Sequence, residues 1–313
     1  MKKHKICKIL LVILAIFLCV AFYELLGICV AYKKQPEVSN TTKKETKNGS
    51  WNECSENTER AVIIEKNPEA LLQRVRLIQN AKEEIILSTF AFKSDESGKL
   101  ILGALHDAAD RGVHIRLLVD GMESWIDMEG NPYFYGLSSH ENVEIKLYNK
   151  ANPLKPWKMM GRMHDKYLIA DGKTYILGGR NTYNYFLGDF PGHKNYDRDV
   201  LVVCDEPEKE NSVNQLLEYF ETIWEQEDSG YFHDNKKLAN RKSVKNAVLE
   251  LQNGYQKYFE ENKERICDTD YTDETFETEK IALVSNPIHT GSKEPVVWYQ
   301  LGELMKNAKN RVK

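Results

Sequence analysis

The hydrophobic pattern changes character once, early in the chain. Residues 9–32, ILLVILAIFLCVAFYELLGICVAY, are apolar on every side with one charge, Glu24, and follow a basic start, MKKHKICK. A helix needs roughly 20 such residues to cross a bilayer, so the run predicts an uncleaved membrane anchor over residues 1–32. A cleavable signal peptide is the rival, but its apolar core is shorter, and the small-residue site around Cys29–Ala31 is poor. LGIC is close to a lipobox, with bulky Ile28 where a small residue is wanted. Flanking lysines argue against a buried core helix. Because they flank both ends, the positive-inside bias is weak. The reading adopted is a single pass through the cell membrane, N-terminus inside and the catalytic body outside.

Residues 33–57 open with KKQPEVSNTTKKETKNGS, polar and aperiodic, and read as a tether. From residue 58 onward, short apolar runs alternate with amphipathic ones. KNPEALLQRVRLIQNAKEE puts Leu71, Leu72, Val75 and Ile78 on one helical face, with Asn67 as N-cap and Pro68 at the first helical position. IILSTFAF reads as a buried strand, and SGKLILGALHDAADRG as a second helix stopped by Gly112. VHIRLLVD, VEIKLY, KYLIAD, TYILGG and DVLVVC read as further strands. This alternation predicts an α/β fold whose sheet is mostly parallel in its first part. SVNQLLEYFETIWEQ and a charged segment from about Lys236 to Arg265 add helices, closing a domain over 58–266. Residues 267–280, acidic and turn-rich, read as a solvated linker. LIQNAKEEI (77–85) then recurs as LMKNAKNRV (304–312), so residues 281–313 are expected to begin a second, duplicated half that is cut short.

Composition narrows the choices. A net charge of −4 and a pI near 6.1 give no global sign of a nucleic-acid partner. The six cysteines form no CxxC or Cys/His cluster, so no metal site is expected. An exported body would allow a disulfide among Cys54, Cys204 and Cys267.

The chemistry concentrates in RMHDKYLIADGKTYILGGRN, residues 162–181. His164 and Lys166, two apart, share one face of a strand. Asp171 ends that segment before the turn DGK. The returning strand ends in Gly178 and Gly179, which let backbone approach a ligand, and Asn181 offers an amide just beyond. A histidine beside a permanent cation and an amide donor suits a phosphate: imidazole attacks phosphorus while Lys166 and Asn181 neutralise its oxygens. No cofactor is called for, and no carboxylate cluster for magnesium or calcium accompanies the set.

This HxK-x4-D-x6-GG-x-N pattern resembles the HKD motif of the phospholipase D superfamily, in a form similar to bacterial cardiolipin synthases and membrane-anchored phospholipase D-like proteins. STFAF, LHDAADRGVHIRLLVDG and YDRDVLV extend the likeness along residues 58–313. The resemblance implies an α-β-α sandwich and a covalent phosphohistidine at His164. Lys166 and Asn181 would hold the phosphoryl group beside Gly178 and Gly179, and Asp171 would complete the motif in a mainly structural part. The carboxylate that orients the imidazole would come from NYDRDVLV, where Asp197 and Asp199 share a face and Asp199 is the better match. The implied activity is phosphatidyl transfer from phosphatidylglycerol or a similar lipid, giving cardiolipin if a second phosphatidylglycerol accepts. Hydrolysis through the same intermediate is the alternative, as a phospholipase D or as a nuclease, the latter disfavoured by the anchor, the charge and the lack of a basic stripe. The superfamily takes its general acid from a second HKD motif, and only one is present here. The expectation is a fragment of a two-motif enzyme, with a symmetric homodimer as the alternative and a non-catalytic, membrane-tethered module as a third. NPLKPWKMMGR (152–162) mixes lysines with Trp157, Met159 and Met160, which suits a headgroup boundary as well as an ordinary loop. His193 and Lys194 are as consistent with a surface loop as with a phosphate contact.

Overall fold

The computed structural model describes residues 2–49, 59–206, 211–233 and 235–308. Cys54 and the last residues of the repeated nonapeptide lie outside them. The chain forms two compact units that do not follow sequence order. One comprises Met1–Asn48, Ala151–Arg162 and Val284–Lys313, the other Gly49–Lys150 and Met163–Leu283.

The larger unit is built on strands β1 (Glu59–Ile64), β2 (Glu84–Thr89), β3 (His114–Asp120), β4 (Val143–Tyr148), β5 (Tyr167–Ala170), β6 (Thr174–Gly178), β7 (Asp199–Cys204), β8 (Ser229–Tyr231) and β9 (Phe276–Glu277). They make one sheet in the order β8-β4-β3-β2-β5-β6-β7-β1-β9. β2, β3 and β4 are parallel, as expected for the first part, and β5, β6 and β7 run antiparallel beside them. One face packs on helices α3 (Asn67–Asn80), α4 (Glu96–Asp110) and α6 (Pro132–Ser138), and α8 (Lys242–Glu261) packs on α4 and α6. Ile115, Leu117 and Val119 of β3 alternate into this core with Leu102 and Leu105 of α4. The other face carries α7 (Ser212–Trp224): the Arg116 guanidinium lies 4.8 Å from the Phe220 ring, and Tyr175 bonds Ser212 at 2.9 Å. Helices on both faces of a mixed sheet make the α-β-α sandwich.

Several local readings change. Asn67 does not cap α3: Lys66 stands at the cap, and the Asn67 amide bonds the Asn195 carbonyl at 2.9 Å and accepts from Arg180 at 3.1 Å. Gly112 does end its helix, with φ +93°. The acidic segment after Cys267 is mostly exposed and is tied to α3 and β1. Arg76 of α3 pairs with Glu274 at 2.9 Å, donates to the Asp268 and Asp270 carbonyls and stacks on Tyr271, while Phe276 and Glu277 add an edge strand. A buried guanidinium needs those acceptors, and they fix the segment. Short helix α5 (Gly121–Asp127), and α9 (Lys263–Cys267) complete this unit.

The smaller unit holds α1 (Lys2–Ala31), α2 (Asn40–Asn48), a 3-10 turn (Pro156–Lys158) and α10 (Val296–Asn307). Lys5–Ala31 of α1 is long and apolar enough to cross a membrane and is unburied. α2 occupies part of the segment read as an aperiodic tether. The Tyr32 hydroxyl donates to the Thr290 carbonyl at 3.0 Å, and Glu294 accepts from the Ser39 amide at 2.8 Å.

Candidate active site

In the larger unit the motif residues gather where β2 and β3 end and β5 begins. Ser88 of β2 pairs with Tyr167 of β5, which sets Thr89 and Phe90 beside the residues just before β5. Asp120, buried at the end of β3, accepts from the Met163 amide at 3.1 Å and fixes the chain one residue before His164. His164 and Lys166 lie in an extended run ahead of the regular strand, His164 exposed and Lys166 buried.

Their side chains meet. Lys166 Nζ stands 3.0 Å from His164 Nδ1 and donates to the His164 carbonyl at 2.6 Å. The Phe90 ring lies 4.5 Å from the imidazole and 5.3 Å from the ammonium, holding both against one aromatic wall. Burial pulls the Lys166 pKa down to about 8, against the upward pull of the Asp165 and Asp197 carboxylates. The contact presents an imidazole and an ammonium together at one spot, the pairing that a phosphoryl group needs.

Asn181 follows β6 and is buried; its carboxamide oxygen accepts from the Ala91 amide at 3.1 Å, which makes Nδ2 its donor end. The two glycines answer to the β7 chain. A Cβ on Gly178 would run into the Asp199 carboxylate and stand 2.5 Å from the Arg198 carbonyl, and one on Gly179 would collide with the Asp197 carboxylate. The close approach they permit is therefore to β7 and the residues before it.

One expected role is corrected, and Asp171 is found at a distance from the chemistry. Asp199 was expected to orient His164, but its Oδ2 is paired with Arg74 at 2.9 Å and Arg180 at 3.2 Å, all three side chains buried, and its Oδ1 makes no hydrogen bond. Two guanidiniums brought from α3 and from the motif leave no carboxylate oxygen on the imidazole. Asp197, half-buried and just ahead of the strand, acts on Lys166 together with Asp165, whose pull is the larger. Asp171 is remote from the chemistry, at the opposite end of β5 from Lys166, about 17 Å along an extended chain. It occupies a left-handed conformation (φ +52°) in the hairpin turn with Gly172 (φ +60°), and its carboxylate accepts from the amides of Lys82, Glu83 and Glu84 at 2.8–3.1 Å. It ties the β5–β6 turn to the start of β2.

Phe90 and Asp120 were not singled out from sequence, although STFAF and LLVDG both stood in the family-like stretches. The loop around His193 and Lys194 is explained locally: Lys194 donates to the Asn184 carbonyl at 2.8 Å and His193 lies 5.4 Å from the Tyr185 ring. No grouping of three or more potential metal ligands occurs among the described residues.

The chain is similar in sequence to several known proteins. A domain family described as cardiolipin synthase, PLD-like domain, matches residues 74–224. An uncharacterized protein of Helicobacter pylori strain J99 is 30% identical over 212 residues, covering 63% of this chain and 39% of its own length. Cardiolipin synthase C of Escherichia coli K12 is 28% identical over 171 residues, 50% of this chain and 34% of that protein. Among solved structures, NucT from Helicobacter pylori aligns with a TM-score of 0.43 at 17% identity, covering 56% of this chain and 99% of that one. The phosphatidylserine synthase of Haemophilus influenzae aligns with a TM-score of 0.47 at 15% identity, covering 79% and 52%. The chain spans 39% of the length of the Helicobacter relative.

Proposed function

The chain carries a phospholipase D-like domain of the cardiolipin synthase family, and from that premise we propose that it is a phosphatidyltransferase acting through a phosphohistidine at His164. The observation that carries this is the Lys166 ammonium 3.0 Å from the His164 ring, in a buried setting where its charge is little screened. The His164 imidazole attacks the phosphorus of a phosphatidylglycerol-like lipid and the glycerol alkoxide departs. Lys166 and the Asn181 Nδ2 stabilise the charge that develops on the non-bridging oxygens. Asp197 supports the ammonium against desolvation, and through it the geometry at His164. Gly178 and Gly179 let β6 and Asn181 lie close to β7, which holds the Asn181 amide in place for the phosphate. A general acid is needed on the far side of phosphorus, and a second HKD-type site supplies it. The second step passes the phosphatidyl group to a lipid glycerol hydroxyl, giving cardiolipin and free glycerol when phosphatidylglycerol is both donor and acceptor.

The apolar helix α1 and the net charge of −4 favour lipid over nucleic acid. Hydrolysis differs only in the acceptor, water, and yields phosphatidic acid. The test is to incubate the full chain in vesicles with labelled phosphatidylglycerol and identify products. Cardiolipin supports transfer, phosphatidic acid supports hydrolysis, and turnover of neither by protein of verified fold overturns both.

A further inference from the structure

We propose that residues 152–160 form a second membrane contact, a loop seated beside α1 where headgroups meet the upper acyl chains, that engages anionic phospholipid. The inference rests on the reading of α1 as a membrane span and adds to it a site of stated depth and chemistry.

Inside the smaller unit the loop is fastened to the flank of α1 and not to its tip. The Tyr23 hydroxyl donates to the Leu154 carbonyl at 2.9 Å. Gly27 lies against the Pro156 ring, where a Cβ would stand 2.5 Å from Cγ and 2.9 Å from Cβ of that proline. The candidate span, Lys5–Ala31, has 27 residues, about 40 Å of helix against a hydrocarbon core of about 30 Å. Centred on the bilayer, about 5 Å at each end lies among headgroups. Gly27 sits about 6 Å below Ala31, at the hydrocarbon boundary, and Tyr23 about 12 Å below, within the upper acyl chains. The loop attached at these two levels therefore enters the leaflet.

Its side chains match that environment. Leu154 is 76% exposed, Met160 57% and Trp157 45%, three large apolar groups within seven residues, while Pro156 is buried against the helix. In water such a cluster is an unfavourable surface. At a lipid interface, leucine and methionine meet acyl chain and the tryptophan sits at headgroup level. Lys155 is exposed between Leu154 and Pro156, placing a cation among lipid phosphates. Apolar groups, a tryptophan and a cation at one level suit a bilayer bearing anionic lipid better than a protein partner.

The experiment reconstitutes the full chain in phosphatidylglycerol vesicles whose acyl chains carry bromine at a shallow or a deep position. Tryptophan quenching is compared with that of Trp157→Phe, so that the difference reports Trp157 alone. Flotation after alkaline carbonate washing reads the α1 anchor separately. Expected is a Trp157 component quenched more by shallow than by deep bromine. Leu154→Asp should reduce it without loss of flotation, and Lys155→Gln should weaken it about fivefold in phosphatidylglycerol and leave it unchanged in phosphatidylcholine. Identical quenching of the wild type and Trp157→Phe in protein that floats overturns the loop and leaves the anchor standing. Equal effects of Lys155→Gln in both lipids overturn the anionic preference. Protein that does not float overturns the anchor and the loop with it.

Discussion

Titrating Lys166 should titrate the reaction. Burial lowers its pKa from 10.5 to about 8, so the ammonium is about nine-tenths charged at pH 7 and about one-tenth at pH 9. A phosphodiester carries its single negative charge throughout this range, so the loss falls on the enzyme. kcat/KM, which reports free-enzyme ionisations, should decline about tenfold for each unit above pH 8. Lys166→Arg, whose guanidinium stays charged across the window, should react more slowly at pH 7 but lose the alkaline limb. Asp197→Asn removes a negative charge that raises the Lys166 pKa, so its limb should move to lower pH. The assay is initial rate on labelled phosphatidylglycerol below saturation, from about pH 6 to about pH 10. An alkaline limb that persists unshifted in both variants would refute the assignment of this ionisation to Lys166.

Asp199→Asn should leave the buried Arg74 and Arg180 guanidiniums short of a counter-charge and cost about 3–5 kcal/mol; urea unfolding measures it, and an unchanged midpoint contradicts the structural role. Asp171→Ala removes an acceptor shared by three backbone amides and should cost about 1–3 kcal/mol with turnover intact below the melting point. Loss of turnover at full stability would return Asp171 to the chemistry. Because the general acid comes from a second site, specific activity of the purified chain should rise with protein concentration as copies associate. Full turnover from a verified monomer would show that one chain supplies both groups.

What was legible from sequence follows from how far apart the determinants lie. α3 and α4 bury Leu71, Leu72, Val75, Leu102 and Leu105 at helical spacing, and β2 and β3 carry the apolar runs IIL and LLV, so local pattern sufficed. β1 was passed over because RAVII follows a polar stretch with no turn signal to bound it, and the seven-residue helices α5 and α6 are too short for periodicity to register. His164, Lys166 and Asn181 sit within one hairpin, so spacing along the chain predicted their grouping. The choice between Asp197 and Asp199 could not be made that way. It depends on Arg74, from a helix more than a hundred residues earlier, taking Asp199 into the core together with Arg180. Strand alternation placed both aspartates on one face, but β7 begins at Asp199, so Asp197 lies outside the pleat that the rule describes. Asn67 failed as a cap for a similar reason: Arg180, distant in sequence, claims its oxygen.

The most direct test of the central claim is to trap the covalent intermediate. The full chain in vesicles is mixed with phosphatidylglycerol labelled at phosphorus, quenched under alkaline conditions that preserve phosphoramidates, digested and sequenced by mass spectrometry. The account predicts a phosphatidyl adduct on the peptide containing His164, absent from His164→Ala, which should also show no turnover. An adduct on another residue, or undiminished turnover by the His164 variant, would contradict it.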